Sequence, residues 1–161
     1  MYKKISTFII FFTMLIFQSA FAKPEEFICK YEMCMIAPGT VMKVILSQDI
    51  NSNTAVTGQT IDAILNEDVK CNYVTVAPSG SVVSGNIVYN KKGKIVGQNP
   101  EIKVVFTTII GPYNNVTPID AIIKTSDSTG IIKGEEKSKA IKIPAGSTIE
   151  IELKQPITTH I

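Results

Sequence analysis

Apolar residues fall along this chain in two regimes. From Ile5 to Phe17 they run almost unbroken, with Ser6, Thr7 and Thr13 as the polar interruptions; from Ile36 onward they alternate with polar residues. Alternation marks a half-buried strand, because successive side chains leave a strand on opposite faces. Residues 148–154 are the clearest case: Ile149, Ile151 and Leu153 share one face, Glu150, Glu152 and Lys154 the other. Met42, Val44 and Leu46 likewise share a face opposite Lys43, Ile45 and Ser47. Further strands are predicted over residues 73–76, 82–89, 102–110 and 118–124, which are rich in Val, Ile and Thr and separated by Gly, Pro, Asn and Ser. Asn90-Lys91-Lys92-Gly93-Lys94 reads as a hairpin tip. Residues 60–69 fit two descriptions, a helix with Ile61, Ile64 and Leu65 on one side or a strand with Ile61, Ala63 and Leu65 on one face. The expected fold is mainly β, a small closed or nearly closed β-barrel or sandwich of short strands with at most one short helix.

The unbroken run belongs to a different object. Met1-Tyr2-Lys3-Lys4 is a basic start, the apolar stretch follows, and Ala20-Phe21-Ala22 ends it in the small-x-small pattern of a secretory signal. The stretch is short for a bilayer span. The expected organisation is a signal peptide over residues 1–22, an N-terminal segment over 23–35 and a single β-domain over 36–161. No transmembrane helix is expected after the signal. Export puts the three cysteines in an oxidising compartment. Cys29 and Cys34 enclose four residues and could join only around a turn, and Cys71 is the competing partner for either.

One pattern recurs. Gly39 to Ile50 echoes Gly146 to Ile157, with Gly, Leu, Gln and Ile at matching positions, and Pro78-Ser79-Gly80-Ser81-Val82-Val83 is a shorter third version. Pro38, Gly39, Pro78, Gly80, Pro144 and Gly146 are therefore expected to build turns that open strands. Proline presets one turn dihedral, glycine accepts a positive one, and the Ser or Thr hydroxyl bonds nearby backbone. The unequal gaps exclude a solenoid, which needs one fixed period. Residues 41–50 and 148–157 are expected to lie together and close the barrel, with Lys43 or Lys154 facing Glu150 or Glu152.

These turns carry a family resemblance. Ile143-Pro144-Ala145-Gly146-Ser147 and Pro78-Ser79-Gly80-Ser81 resemble the I-P-A-G-[ST] turns of TrbI-like domains. Ala37-Pro38-Gly39-Thr40, the Ile50-Asn51-Ser52 stretch, Gly58, Glu67-Asp68-Val69 and Gly85 fit the same order of features. The resemblance covers roughly residues 36–157. It implies the C-terminal β-barrel of a core-complex subunit in type IV secretion and conjugation machines, or a standalone exported relative. The chain departs from that pattern in having a signal where such subunits carry an inner-membrane helix and a Pro-rich stalk. Residues 111–117 are also short and polar where an outer-membrane insertion would need apolar helices.

Composition narrows the chemistry. All sixteen basic residues are lysine, there is no tryptophan, and His160 is the one histidine. Arginine reading of guanine is excluded, and so are multi-histidine metal sites. Gly80-Ser81-Val82-Val83-Ser84-Gly85 lacks the spacing of a nucleophile elbow. The acidic pairs Glu67-Asp68 and Glu135-Glu136 are neighbours that point apart in a strand and so form no facing carboxylate pair. Because Lys3 and Lys4 belong to the signal, the remaining chain carries 14 lysines against 14 acidic residues, leaving no field to steer it to nucleic acid. The sequence thus describes an exported, non-enzymatic protein of the periplasm or cell envelope, with no cofactor, no metal and no catalytic residue. The expected role is structural or adaptor-like, with envelope proteins as partners and a possible homo-oligomeric assembly. The alternative is a periplasmic binding module for a small ligand or cell-wall polymer.

Overall fold

The computed structural model describes residues 33–93, 98–136 and 139–160. Cys29, Lys94 and the signal segment lie outside the described residues. The strands are β1 (Met33–Ile36), β2 (Val41–Leu46), β3 (Ile50–Asn51), β4 (Thr60–Leu65), β5 (Val69–Cys71), β6 (Val74–Ala77), β7 (Val82–Lys91), β8 (Glu101–Ile110), β9 (Val116–Ile123), β10 (Ile131–Lys133), β11 (Lys142–Ile143), β12 (Thr148–Leu153) and β13 (Ile157–His160). The helical content described is one 3-10 turn at Pro112–Asn114. Residues 60–65 are strand, with Ile61, Ala63 and Leu65 buried on one face, so the helical alternative for this segment is corrected. Hydrogen-bonded neighbours on both sides, β2 and β7, decide the matter where a six-residue pattern could not.

Antiparallel pairing in the order β8-β7-β4-β2-β12-β9, with β9 returning to β8, closes a six-strand barrel, and β10 adds one further strand to β8. Closure removes the free edges that an open sheet would expose. The interior is filled by Phe106, Leu46, Ile61, Leu65, Ile87, Ile102, Ile109, Ile151 and Leu153, all at 1% exposure or less. A six-strand barrel is narrow enough for side chains alone to fill it.

The sequence echo is the architectural key. β2 and β12 pair antiparallel with Lys43 opposite Glu150, which are equivalent positions of the two copies, so a local two-fold axis passes between them. Each copy's turn clasps the far end of the other copy's strand. The Gly39 N–H donates to the Leu153 carbonyl (2.8 Å) and the Leu153 N–H to the Thr40 carbonyl (3.0 Å). Gly146 and Leu46 repeat the arrangement at 2.8 Å, with the Leu46 N–H returning to Ser147 at 3.0 Å. The symmetry extends to the flanks: β1, before the first turn, pairs with β13, and β11, before the last turn, pairs with β3. Residues 41–50 and 148–157 are accordingly not single strands. Each bends after its leucine, at Ser47–Asp49 and Lys154–Pro156, and sends its final isoleucine, Ile50 or Ile157, out of the barrel into a two-stranded ribbon. The ion pairs also distribute differently from simple facing: Lys43 joins Glu67 at 3.2 Å, Glu150 joins Lys124 at 2.9 Å, and Lys154, in the bend just past β12, joins Glu152 two residues earlier at 2.9 Å.

Candidate interaction surface

With the barrel interior occupied, chemistry has to be sought on the outside. The serines of the Gly80–Gly85 run hold structure: the Ser81 hydroxyl donates to the Pro78 carbonyl (2.6 Å) and the Ser84 hydroxyl to Asp62 (2.6 Å). Each partnered acid has its own cation or donor. Asp68 accepts from the Ser79 N–H at 2.8 Å and meets Lys70 at 3.3 Å, and these two contacts, the backbone one foremost, lower its pKa. Glu136 pairs with Lys139 at 3.1 Å and Lys91 with Glu101 at 3.8 Å. Among the described residues no three His, Cys, Asp or Glu side chains gather as a metal set. No described helix is long and apolar enough to cross a membrane.

The six turn residues named from the sequence all stand in turns. Gly39, Gly80 and Gly146 have φ of +84°, +87° and +81°, the left-handed region that a side chain disfavours. Pro38 occupies the second turn position, whereas Pro78 and Pro144 occupy the first and offer carbonyls to the fourth-residue N–H groups, Ser81 and Ser147, at 3.2 Å. Cys34 is joined to Cys71, the competing partner, with Cα atoms 6.1 Å apart. A Cys29–Cys34 pair is not what the structure builds: β1 is extended through Cys34, and its inward side chain meets β5 rather than a turn.

That bond ties the ribbon β1–β13 to the hairpin β5–β6, and both stand at one end of the barrel. This end is formed where β4, β8 and β12 finish and β2, β7 and β9 begin. It carries Met33, Met35, Val41, Tyr73, Val74, Tyr113 and Val116, seven of the ten large apolar residues exposed among those described. Tyr73 sits at the β5–β6 tip beside Asn72 (φ 55°), and Tyr113 (φ 61°) within the β8–β9 connection; both side chains are fully exposed. A cleft of about 220 Å³ between Val76 and Pro78 on one side and Tyr113 and Asn115 on the other separates the two tips. The opposite end carries Lys91, Lys92, Glu101, Asp127, Lys133, Glu135 and Glu136 in its strand ends and loops. The ion pairs Lys43–Glu67 and Lys70–Asp68 lie at the apolar end too, and aromatic residues and methionine gathered beside them on the exposed surface are residue types enriched in protein-contacting surfaces. The alternating pattern could not show this, since it reports which face of a strand is wet and not which end of a barrel a loop joins.

The solved structure of ComB10 of the Com type IV secretion system of Helicobacter pylori has the same fold. It matches with a TM-score of 0.53 over 76% of this chain and 88% of that one, at 14% identity. The likeness at this identity is one of fold, and the closed barrel implied by the TrbI-like turns is the barrel the chain forms. No family profile and no curated protein matches the chain.

Proposed function

We propose that this chain is a non-enzymatic component of a secretion-type assembly in the cell envelope, acting as a structural or adaptor subunit. The observation that carries the proposal is the closed barrel shared with ComB10. The packed interior supports it, because a barrel filled by Phe106 and its neighbours can act only through its exterior. The apolar end with Tyr73 and Tyr113 is the contacting surface in this reading. Residues 1–22 direct export, the cysteine bond suits an oxidising compartment, and the balanced charge favours packing over long-range steering. The test is purification of the tagged full chain from envelope fractions, followed by native mass spectrometry. Co-purifying secretion-assembly proteins and several copies per particle are expected. Tyr73→Ala with Tyr113→Ala should cut that co-purification at least tenfold without lowering the unfolding temperature. A monomer that brings down no secretion-assembly protein would overturn the proposal.

A further inference from the structure

The hairpin β5–β6 is one strand short of a sheet. β6 pairs with β5 on one side, and among the described residues nothing bonds the backbone of Val74–Ala77 on the other. Two strands alone are a marginal structure that a third would complete. The register shift at Val69/Lys70 sets Val69 opposite Ala77 and Lys70 opposite Thr75. Val76 is thus the extra residue of a bulge, left out of the ladder with its backbone unpaired. Natural proteins guard free edges with charge, lysine above all. β10 and β11 follow that rule with Lys133 and Lys142, whereas β6 reads Val74-Thr75-Val76-Ala77 and carries no charge. The bond from Cys71 to Cys34 fastens β5, so the hairpin presents its edge already in place.

β6 also forms one wall of the cleft of about 220 Å³ that Tyr113 and Asn115 close on the other side. Ala77 and Ile109, at 2% and 1% exposure, belong to the core and line the same cleft, so a group entering it reaches the barrel interior. No charged residue lines it. Small-molecule pockets run to about 300–1,000 Å³; this one is smaller and suits a single apolar side chain. Across it, Tyr113 and Asn114 have φ of 61° and 58°, a backbone that a bulky residue disfavours, and Tyr113 stands fully exposed there. A row of unpaired N–H and C=O groups is complementary to an extended backbone, and the uncharged cleft beside it to one apolar side chain. A peptide strand offers both. We propose that a partner protein is gripped through an extended segment that adds to the outer edge of β6 and sets one apolar side chain in the cleft facing Tyr113. This rests on the reading of the apolar end as the contacting surface, and it names what that surface holds.

The probe is a random decapeptide library displayed on phage and selected on the immobilised full chain. Enriched peptides are synthesised, titrated by calorimetry and located by amide hydrogen exchange. Peptides with a central apolar residue and no central charge are expected, and they should slow exchange of the unpaired β6 amides at least tenfold. N-methylating one of the two alternating sets of peptide nitrogens should weaken binding at least tenfold, as should replacing the central apolar residue with alanine. Thr75 is exposed, so Thr75→Lys and Thr75→Val should both fold, which circular dichroism verifies. Thr75→Lys should weaken binding at least tenfold and Thr75→Val should not. A library that yields no binder, peptides that bind elsewhere, indifference to both N-methylated forms, or parent affinity in Thr75→Lys each overturn the proposal. Self-association of the free chain that Thr75→Lys abolishes would assign the edge to a second copy and overturn it as well. Secretion-assembly proteins that co-purify equally with Thr75→Lys would sink this proposal and leave the assembly role standing. Peptides bound at β6 with no such protein co-purifying would do the reverse.

Discussion

Replacing Gly85 with alanine is expected to damage the barrel more than replacing any of the turn glycines, and the reason is steric. Gly85 lies on β7 where the β7–β8 register shifts: Ser84 faces Thr108 but Gly85 faces Phe106, leaving Thr107 bulged. The β8–β9 register shifts at the same place, so β8 turns a barrel corner there. A Cβ on Gly85 would stand 2.6 Å from Phe106 Cα and 2.9 Å from the Val105 carbonyl carbon, and closer still to the Val105 oxygen. These are backbone atoms, so no rotamer makes room, and the strands must part by about 1 Å to restore ordinary carbon–carbon separation. Overpacking costs 1–3 kcal/mol where side chains can yield, so a value of about 3 kcal/mol or more is expected here. For a folded unit of about 130 residues, an unfolding entropy near 0.27 kcal/mol/K converts that to a fall in Tm of about 11 °C. Gly39→Ala is the control: nothing lies within 4 Å of its added Cβ, and its φ of +84° is the sole penalty. That penalty is about 1–2 kcal/mol, or about 4–7 °C. Thermal and urea unfolding followed by circular dichroism measure both. A Gly85→Ala loss no larger than that of Gly39→Ala would refute the close approach of β7 and β8, whereas an insoluble Gly85→Ala beside a soluble Gly39→Ala would bear it out.

Three further outcomes follow from the same structure. Cys34→Ala with Cys71→Ala opens a loop spanning 37 residues and should cost about 4 kcal/mol on the chain-entropy account; peptide mapping without reductant should find the Cys34–Cys71 link, and a Cys29–Cys34 link in its place would refute the pairing. Asn90→Ala should cost about 1–3 kcal/mol in urea unfolding, because its Nδ2 donates to the Ser52 and Ala55 carbonyls at 3.0 and 2.7 Å, and Asn90→Asp should do no better, lacking the donor. Asp127 is held far below its usual 3.8 by the Thr129 and Thr125 hydroxyls, the Thr129 N–H and Lys133. A depressed folded-state pKa means that its stabilisation is complete above the ordinary carboxylate range and is lost as the pH falls below about 3.8, with Asp68 and Glu150 adding in the same direction. Asp127→Asn should therefore flatten the acid limb of the stability profile, and an NMR titration placing the Asp127 midpoint at or above 3.8 would contradict this.

The alternation of residues 41–46 and 148–153 specified two half-buried strands, because a period of two leaves one face no place but a core. The Pro/Gly/hydroxyl turns before them were equally legible, since Gly39, Gly80 and Gly146 meet a purely local dihedral demand. Even the pairing of the two copies could be expected from their likeness. What local pattern could not hold was where each strand stops and what it meets next. The bends after Leu46 and Leu153 divert Ile50 and Ile157 into separate ribbons, and those partners, β11 and β1, lie some 90 and 120 residues away along the chain. Asn90 reads as a hairpin tip locally, yet it fastens the loop after β3, because β7 runs on beside it. The cysteine pairing was open for the same reason: Cys34 chooses Cys71 only once β5 has folded back against β1. The sequence by itself therefore determined the β class, the turns and the barrel-closing pair, all of which rest on interactions within a few residues or on a repeated pattern. Tertiary structure alone decided the disulfide, the ribbons and the gathering of Met33, Met35, Tyr73 and Tyr113 at one end, because barrel closure sets which loops share an end and no short window of sequence contains that constraint.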